Sequence, residues 1–365
     1  MSLVFIVFSL FFVGSAQETR SRTAVNVPMA EQNPSRQDLD RRIAARFAPV
    51  FSQGLGEMPR ADYITNFDFD CDWKGDNNWN NLDNPSYQLR AWVYYSVVET
   101  STHYFIHYAV FHPRDYKGGL ATSTALGALI KAGLERLGKD PTGGLARNLS
   151  LSHENDLEGC LVVASKRGGA LESAEVEYVE TMSHNRFLKY RTAVARSDIG
   201  DSIETGGQQP MLFVEPKGHG VSRFTDDPDQ RKKSINGIIR YVYAGRADDP
   251  ASVEGAVDGI DIGYDLMPVS ETLWKHALSG ANETYGEVGE YRAFRLQSVG
   301  SAFRGQVGFA QNMARPPWGW FDESEMDRPL GEWFFDPAGV IARHFGLDKD
   351  FSTVYTYHPY LKSAP

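Results

Sequence analysis

Residues 152–159, Ser-His-Glu-Asn-Asp-Leu-Glu-Gly, gather side chains that can bind a metal ion. They lead directly into Cys-Leu-Val-Val-Ala, an apolar run that predicts a buried strand. Because alternate side chains of a strand share a face, Asp156 and Glu158 are expected to point the same way. His153 lies at the loop end, where a bend can turn its imidazole towards both carboxylates. The stretch can hold a divalent cation, and a solvated polar loop is the alternative.

The donor types indicate which cation would bind. One imidazole with two or three carboxylates favours a hard cation, Ca²⁺ or Mg²⁺, with Mn²⁺ as a further candidate. Zn²⁺ more often has a second histidine or a thiolate as ligand, so it fits less well. His184 or His219 could supply that nitrogen. His219 is flanked by glycines that allow the backbone to approach it closely.

A second acidic group precedes the first in the chain. Asp68, Asp70 and Asp72 alternate with apolar residues, which predicts a half-buried strand and gives a second candidate cation site. An EF-hand loop is excluded, because Trp73 and Trp79 stand where that loop needs Gly and Glu. A solvated strand face leading into a turn is the alternative.

Many short strand-like segments separated by polar turns organise the chain. Residues 91–98 and 103–111 predict a hairpin with a turn at 99–102, and Asp115 follows at the mouth of its second strand. The pattern favours a mostly β fold, an antiparallel β-sandwich of jelly-roll-like type with inserted and flanking helices. Further strands are expected at 175–181, 188–195, 209–214 and 238–243, and helices at 38–51 and 121–137.

The two ends of the chain differ in composition. Residues 3–13 are apolar apart from Ser9 and too few to span a bilayer as a helix, and small residues follow. We therefore predict a signal peptide at 1–16, with an uncleaved anchor as the alternative. A flexible leader at 17–38 and a single domain at 39–365 would follow, with aromatic-rich residues 310–365 covering the core. The mature chain is expected to be secreted or extracytoplasmic, without a transmembrane segment.

Charge and cysteine content restrict partners and cross-links. The formal net charge of −10 argues against binding nucleic acid by charge attraction. Cys71 and Cys160, the two cysteines, form a disulfide candidate in an exported chain. Two unpaired buried thiols are the alternative, because a free cysteine behaves as a small hydrophobe.

The order of these motifs resembles a known superfamily. An aromatic strand ending in an aspartate precedes His-Glu-x-Asp-x-Glu and an apolar strand, and a strand ending in Gly-His follows. This order is similar to the yeast vacuolar-protein-sorting-sixty-two-like family. More distantly it resembles the necrosis- and ethylene-inducing-peptide-like proteins, secreted cytolysins of plant pathogens. Those proteins carry Gly-His-Arg-His-Asp-Trp-Glu on a β-sandwich and bind a divalent cation through its His, Asp and Glu and an upstream aspartate.

The resemblance spans residues 104–219 and implies a ligand set. His153, Asp156 and Glu158 match the heptapeptide's first His, its Asp and its Glu. Asp115 would be the upstream aspartate if the helix at 121–137 is an insertion. The chain departs from the heptapeptide at three positions, which are Ser152, Asn155 and Leu157.

Three functions are compatible with such a site. A binding or toxin-like module, whose cation bridges to a glycan or lipid headgroup, ranks first, and a structural metal site ranks second. The third is a metal-dependent hydrolase of phosphoester or glycan substrates, with His219 or His184 as general acid or base and Arg114 or Lys217 binding an anion. The sequence favours a non-enzyme, because it contains no nucleophile elbow, His-Glu-x-x-His or phosphate-binding glycine loop.

Overall fold

A computed structural model describes residues 35–116, 152–279, 288–289, 299–300, 303, 305 and 314–360. The chain divides into two units, Met1–Ser35 and Arg36–Pro365, and every element described below belongs to the second. The predicted signal peptide, nearly all of the leader and the predicted helix at 121–137 lie outside the described residues.

Short strands outnumber helices in the described ranges, as the many polar turns predict. The helices are α1 (Arg36–Arg46), α2 (Asn78–Asn81), α3 (Pro228–Lys233), α4 (Leu273–Ser279), α5 (Glu332–Phe335) and α6 (Pro337–His344). The strands are β1 (Val50–Gly54), β2 (Trp92–Thr100), β3 (His103–Asp115), β4 (His153–Ser165), β5 (Glu175–Met182), β6 (Phe187–Arg191), β7 (Asp201–Ser202), β8 (Thr205–Gly206), β9 (Gln209–Val214), β10 (Val221–Arg223), β11 (Ile238–Tyr243), β12 (Asp261–Pro268), β13 (Val288–Gly289), β14 (Val299–Gly300) and β15 (Tyr355–Tyr357).

Thirteen of the described strands form one mixed sheet. Its order is β10-β9-β1-β11-β12-β2-β3-β4-β5-β6-β7, with β15 paired to β2 and β8 paired to β9. The pairs β1/β9, β11/β12 and β12/β2 are parallel, whereas β2/β3, β3/β4 and β4/β5 are antiparallel. The sheet curls, so that β10 returns against β4 and β5. The mostly β class is confirmed, and the predicted antiparallel sandwich is wrong.

Strand β1 accounts for much of that difference. The apolar spacing at 38–51 predicts one helix, but α1 ends at Arg46 and Pro49 separates it from β1. Proline disfavours helical backbone in the residue before it, and Val50 and Phe51 are good strand formers. Strand β1 inserts between β9 and β11, parallel to the first and antiparallel to the second. Because β1 lies between them, β9 and β11 belong to the same sheet, whereas a sandwich would place such strands in two separate sheets.

The predicted hairpin of β2 and β3 is confirmed, and β3 continues into a long antiparallel pair with β4. In that pair Asp115 lies opposite His153, and His112 lies opposite Asp156. Opposite residues of an antiparallel pair have Cβ atoms about 4.5–5.5 Å apart. The register therefore brings together side chains that are far apart in the sequence.

The central strands are buried on both faces. On one face, Leu161 packs with tryptophans of the C-terminal segment such as Trp320 and Trp333. On the other face, Cys160 packs with Phe47, the residue after α1. Burial on both faces explains why the sequence after residue 159 is continuously apolar rather than alternating. None of the helices that the structure describes has the length and apolar composition needed to span a bilayer.

The predicted disulfide is wrong, because both cysteines are free. Cys160 is fully buried on β4, whereas Cys71 lies in an exposed turn with φ of 71°. Burial raises the pKa of the Cys160 thiol well above its ordinary value. The segment around Cys71, residues 67–72, forms turns instead of the expected half-buried strand. The alternative of a buried unpaired thiol therefore holds for Cys160 alone.

Candidate functional site

The ends of β3 and β4 bring three candidate metal ligands together. Asp115, His153 and Asp156 each offer one ligand atom, and these atoms lie within 4.8 Å of one another. Nε2 of His153 is 3.3 Å from Oδ2 of Asp115. Both aspartates are buried, and the His153 side chain is 13% exposed. This group could hold a metal ion.

A kink at Asn155 explains how His153 and Asp156 meet. His153 and Asp156 are three residues apart, so on a regular strand their side chains would point to opposite faces of the sheet. Asn155 has φ of 60°, a left-handed conformation that asparagine tolerates better than most residues. Its side-chain oxygen accepts a hydrogen bond from Asn78 at 2.7 Å, and its amide nitrogen donates to the carbonyl of Gly75 at 2.7 Å. The backbone of Asn155 and the contacts of its amide thus shape the group.

The ring orientation of His153 leaves one nitrogen facing a carboxylate. Its Nδ1 lies 3.0 Å from the carbonyl oxygen of Asn155, so Nδ1 carries a proton and donates it. Its Nε2 then faces Asp115 and must itself bear a proton or bind a cation, because a lone pair there would repel the carboxylate. Burial would lower the pKa of His153, but the hydrogen bond and charge of Asp115 outweigh it and raise that pKa.

The His219 ring lies between the carboxylates of Asp156 and Asp62. Its Nδ1 donates to Oδ2 of Asp156 at 2.8 Å, and its Nε2 lies 3.3 Å from Oδ1 of Asp62. Burial would lower the pKa of this fully buried ring, but the hydrogen bonds to the two aspartates outweigh it and raise the pKa to about 10. His219 is therefore an imidazolium that orients Asp156. The same bond, against the opposing effect of burial, lowers the pKa of Asp156.

Three residues at this position were missed by the sequence analysis. The His112 ring stacks on His219 with centroids 3.7 Å apart and planes at 3°, and its Nε2 is 3.0 Å from Oε1 of Gln53. Burial, together with the charge of His219, lowers the pKa of His112 well below its ordinary value. His112 lies three residues before Asp115, which was a usable signal. Asp62 and Gln53 gave none, because only the tertiary fold brings them here.

Glu158 lies farther along β4, outside the group of three ligand atoms. It is buried, and its pKa is raised well above the ordinary value by burial first and then by the charge of Asp156. The backbone N–H of His184 donates to it, and the Glu215 carboxylate is near. Its role as a fourth ligand stays a prediction.

The other predicted site residues have partners elsewhere. His184 is exposed and hydrogen-bonds Glu215, which also pairs with Lys233 at 3.0 Å. Burial would raise the pKa of Glu215, but His184 and Lys233 lower it to about 2. The buried Arg114 lies over a tryptophan ring and pairs with Asp83 at 2.8 Å, and the Lys217 side chain pairs with a surface glutamate at 3.2 Å.

The second acidic group is bonded locally. Asp68 accepts from Asn66 at 2.8 Å, Asp70 from Asn81 at 2.6 Å, and Asp72 from the backbone of Lys74 at 2.7 Å. Of the residues that the structure describes, Asp115, His153 and Asp156 are the one group with metal-ligand proximity. The second cation site stays a prediction from the sequence.

Comparisons with known proteins find similarity at the level of structure alone. No family model and no curated protein matches the chain. The NLPPya protein in complex with glucosamine is 16% identical, with 53% of this chain and 70% of that chain covered at a TM-score of 0.28. The non-toxic HaNLP3 protein is 12% identical, with 66% and 80% covered at 0.30. Necrosis and Ethylene inducing Protein 2, from the causal agent of cocoa's witches' broom disease, is 14% identical, with 66% and 90% covered at 0.26.

These matches lie in the more distant of the two expected groups, the necrosis- and ethylene-inducing proteins. The expected similarity to the vacuolar-protein-sorting-sixty-two-like family finds no support in any of the three comparisons.

Proposed function

We propose that this protein binds a divalent cation through Asp115, His153 and Asp156, with Glu158 as a fourth ligand. The observation that carries the proposal is the convergence of two buried carboxylates and one imidazole nitrogen within 4.8 Å. Like charges buried this close repel each other, and a cation among them relieves that repulsion. The hydrogen bond from Nδ1 of His153 to a backbone carbonyl is the partner that a metal-bound histidine characteristically has.

The donor set favours Ca²⁺ or Mg²⁺, with Mn²⁺ next and Zn²⁺ last. Carboxylate oxygens are the ligands of hard cations, whereas zinc sites more often add a second histidine or a thiolate. His219 does not offer that nitrogen, because its Nδ1 donates to Asp156 and its Nε2 faces Asp62. Ca²⁺ takes about 6–8 ligands, so three or four protein ligands leave positions for other oxygens.

The open positions suggest a binding or toxin-like module. The His153 side chain is 13% exposed, so a ligand can approach the cation from that side. A glycan hydroxyl or a lipid-headgroup oxygen would complete the coordination, and the protein would act outside the cell. The alternative is a purely structural ion, which the burial of Asp115 and Asp156 favours.

Calorimetric titration of chelator-treated protein with Ca²⁺, Mg²⁺, Mn²⁺ and Zn²⁺ tests the cation site. Asp115→Asn should weaken binding at least tenfold, since loss of an outer partner alone costs about 10–100-fold in affinity. Asp68→Asn is the matched control, an aspartate of the other acidic group. It should leave the site at Asp115 unchanged. If wild-type protein binds none of the four ions, the proposal fails.

Melting curves and ligand screening separate the two roles of the ion. A binding module predicts that Asp115→Asn melts near the wild-type temperature but no longer binds glycans or liposomes in the presence of the cation. A structural ion predicts that chelator and Asp115→Asn lower the melting temperature equally, and that neither protein binds a glycan or liposome. Asp115 is a better probe than Asp156, whose removal would also leave the buried His219 imidazolium without a partner.

A further inference from the structure

A second buried histidine bridges two carboxylates, away from the candidate metal group. His344 ends α6, and its Nδ1 lies 2.6 Å from Oε1 of Glu180 while its Nε2 lies 3.0 Å from Oε1 of Glu325. Glu180 is fully buried on β5, and the His344 side chain is 2% exposed. A neutral imidazole has a single N–H, so only the doubly protonated ring donates to both carboxylates.

The bridge joins the sheet to the aromatic cover, which we define as residues 317–345. Glu180 belongs to the sheet, whereas His344 and Glu325 belong to the cover. Glu180 also accepts the indole N–H of Trp333 at 2.8 Å, and the Trp333 ring stacks on Phe187 with centroids 4.6 Å apart. The imidazolium and the indole therefore share one buried acceptor.

The cover is also bonded to the turn between β5 and β6. The backbone of Glu323 donates to the carbonyl of Asn185 at 2.9 Å, and the backbone of Phe187 donates to Asp322 at 2.7 Å. Asn185 has φ of 60°, so that turn has a backbone conformation that the cover helps to hold. A shift of the cover would therefore also displace the turn between β5 and β6 through these two hydrogen bonds.

Charged groups from several elements face His344. Burial would lower its pKa, but the hydrogen bond and charge of Glu180 outweigh it and raise the pKa, with Lys189 opposing and Glu325 adding to the rise. Arg343 pairs with Glu325 at 2.9 Å and so limits the charge that Glu325 presents, and its Nη2 also lies 3.3 Å from Nε2 of His344. The facing groups are Glu180 on β5, Lys189 on β6, Glu325 in the turn Glu323–Glu325, and Arg343 beside His344 on α6, itself paired with Glu332 of α5.

We propose that His344 is a pH-sensitive latch, which fastens the aromatic cover to the sheet most firmly as an imidazolium and loosens it on losing the proton of Nε2. Because the pKa of His344 is raised in the folded protein, the latch stabilises the fold fully at a pH below the ordinary histidine pKa of about 6.5. This stabilisation is lost as the pH rises through the pKa of His344 in the folded protein. Loss of the Nε2 proton removes the hydrogen bond to Glu325 and leaves a lone pair beside Arg343, while Nδ1 of the uncharged ring still donates to Glu180. The bond from Trp333 to Glu180 then loses its neighbouring positive charge.

Nuclear magnetic resonance of the full chain, labelled at histidine side chains and tryptophan indoles, tests the latch. His344→Gln and Trp333→Phe assign the two signals. We expect His344 to titrate above the ordinary histidine range and the Trp333 indole signal to move at the same pH. Glu180→Gln should lower the His344 midpoint by about one pH unit or more, because a nearby opposite charge shifts a pKa by about 1–3 units.

Two further variants keep the test independent of whether Glu180→Gln folds. Lys189→Gln removes a like charge and should raise the midpoint, whereas Glu325→Gln, whose side chain is 27% exposed, should lower it. Glu172→Gln, an exposed carboxylate facing Arg42, should change neither signal. The proposal is overturned if His344 titrates in the ordinary histidine range or if the Trp333 indole signal does not move at the same pH. It is also overturned if none of the three charge changes, at Glu180, Lys189 and Glu325, shifts the His344 midpoint.

Discussion

Removal of the Asp62 side chain tests the buried charge chain behind the candidate metal group. Asp62 is 2% exposed, and its two carboxylate oxygens accept from the backbone of Gly56 and of Lys217, each at 2.7 Å. Oδ1 also faces Nε2 of His219 at 3.3 Å. Asp62→Ala therefore leaves two N–H groups without acceptors and His219 with one carboxylate in place of two.

The expected cost follows from these contacts. Hydrogen bonds to a charged group contribute about 1.5–3 kcal/mol each, so the two backbone bonds account for about 3–6 kcal/mol. Breaking a buried ion pair costs about 3–5 kcal/mol, but His219 keeps Asp156, so part of that cost applies. Contributions of contacting groups are not additive. We expect Asp62→Ala to lower the free energy of unfolding by about 4–6 kcal/mol, a large share of the roughly 5–15 kcal/mol typical of a native protein.

Equilibrium urea denaturation of chelator-treated protein, followed by tryptophan fluorescence, measures this loss. Asp62→Asn keeps a side-chain oxygen for one backbone donor and should cost less, about 2–3 kcal/mol. Glu57→Ala is the matched control: its carboxylate pairs with the Lys217 side chain at 3.2 Å but is 56% exposed, so the loss should stay below about 1 kcal/mol. If Asp62→Ala costs no more than Glu57→Ala, the buried chain from Asp62 to Asp156 is not formed.

Three further predictions concern residues of β4 and β5. Gly159→Ala should destabilise the protein by about 3 kcal/mol or more in urea denaturation, because its Cβ would lie 2.7 Å from the Trp320 ring and 2.0 Å from a backbone oxygen. Asn155→Ala should weaken cation binding about 10–100-fold in calorimetry, because the amide contacts that hold the kink are lost. Burial would raise the pKa of Glu177, but the hydrogen bond and charge of His103 lower it below 4.5. The ionised Glu177 therefore stabilises the fold at a pH above its pKa in the unfolded chain, and this stabilisation is lost as the pH falls through its pKa in the folded protein. Melting temperatures of Glu177→Gln should therefore fall less steeply than wild type below about pH 4.5.

Local pattern was enough to predict the strands that carry the site. The hairpin of β2 and β3 follows from two apolar runs and a polar turn, and the apolar run after residue 159 marks β4. His153 and Asp156 could be proposed because they directly precede the apolar run, whereas Asp115, at the end of β3, was implied as a ligand by the resemblance. Their meeting also needs the left-handed backbone of Asn155, which the spacing of the motif did not indicate.

His219 was a candidate from the sequence, but its contact with Asp156 and the positions of Asp62 and Gln53 could not be predicted in the same way. Asp62, Gln53 and His219 reach Asp156 and His112 because β1 and β9 pair in parallel and the curled sheet returns β10 to β4. Hydrophobic periodicity indicates which residues of a strand are buried, but it does not indicate which strand lies beside it. Because the sequence predicted one helix at 38–51, it did not predict β1, the strand that connects β9 to β11 in the sheet.

The charges around the site together explain why a divalent ion suits it. A metal-bound His153 is neutral, because the ion replaces the proton on its Nε2. The carboxylates of Asp62, Asp115 and Asp156 then contribute three negative charges, and the His219 imidazolium contributes one positive charge, which leaves −2 for the ion to balance. Burial of an unbalanced charge is costly, so an ion of charge +2 neutralises this cluster whereas a monovalent ion does not. Burial and the charge of Asp156 raise the pKa of Glu158, so a cation that binds Glu158 competes with a proton there. Glu158→Gln should therefore weaken cation binding less than Asp115→Asn in the same calorimetric titration, and an equal or greater loss would show that Glu158 is ionised before the cation arrives.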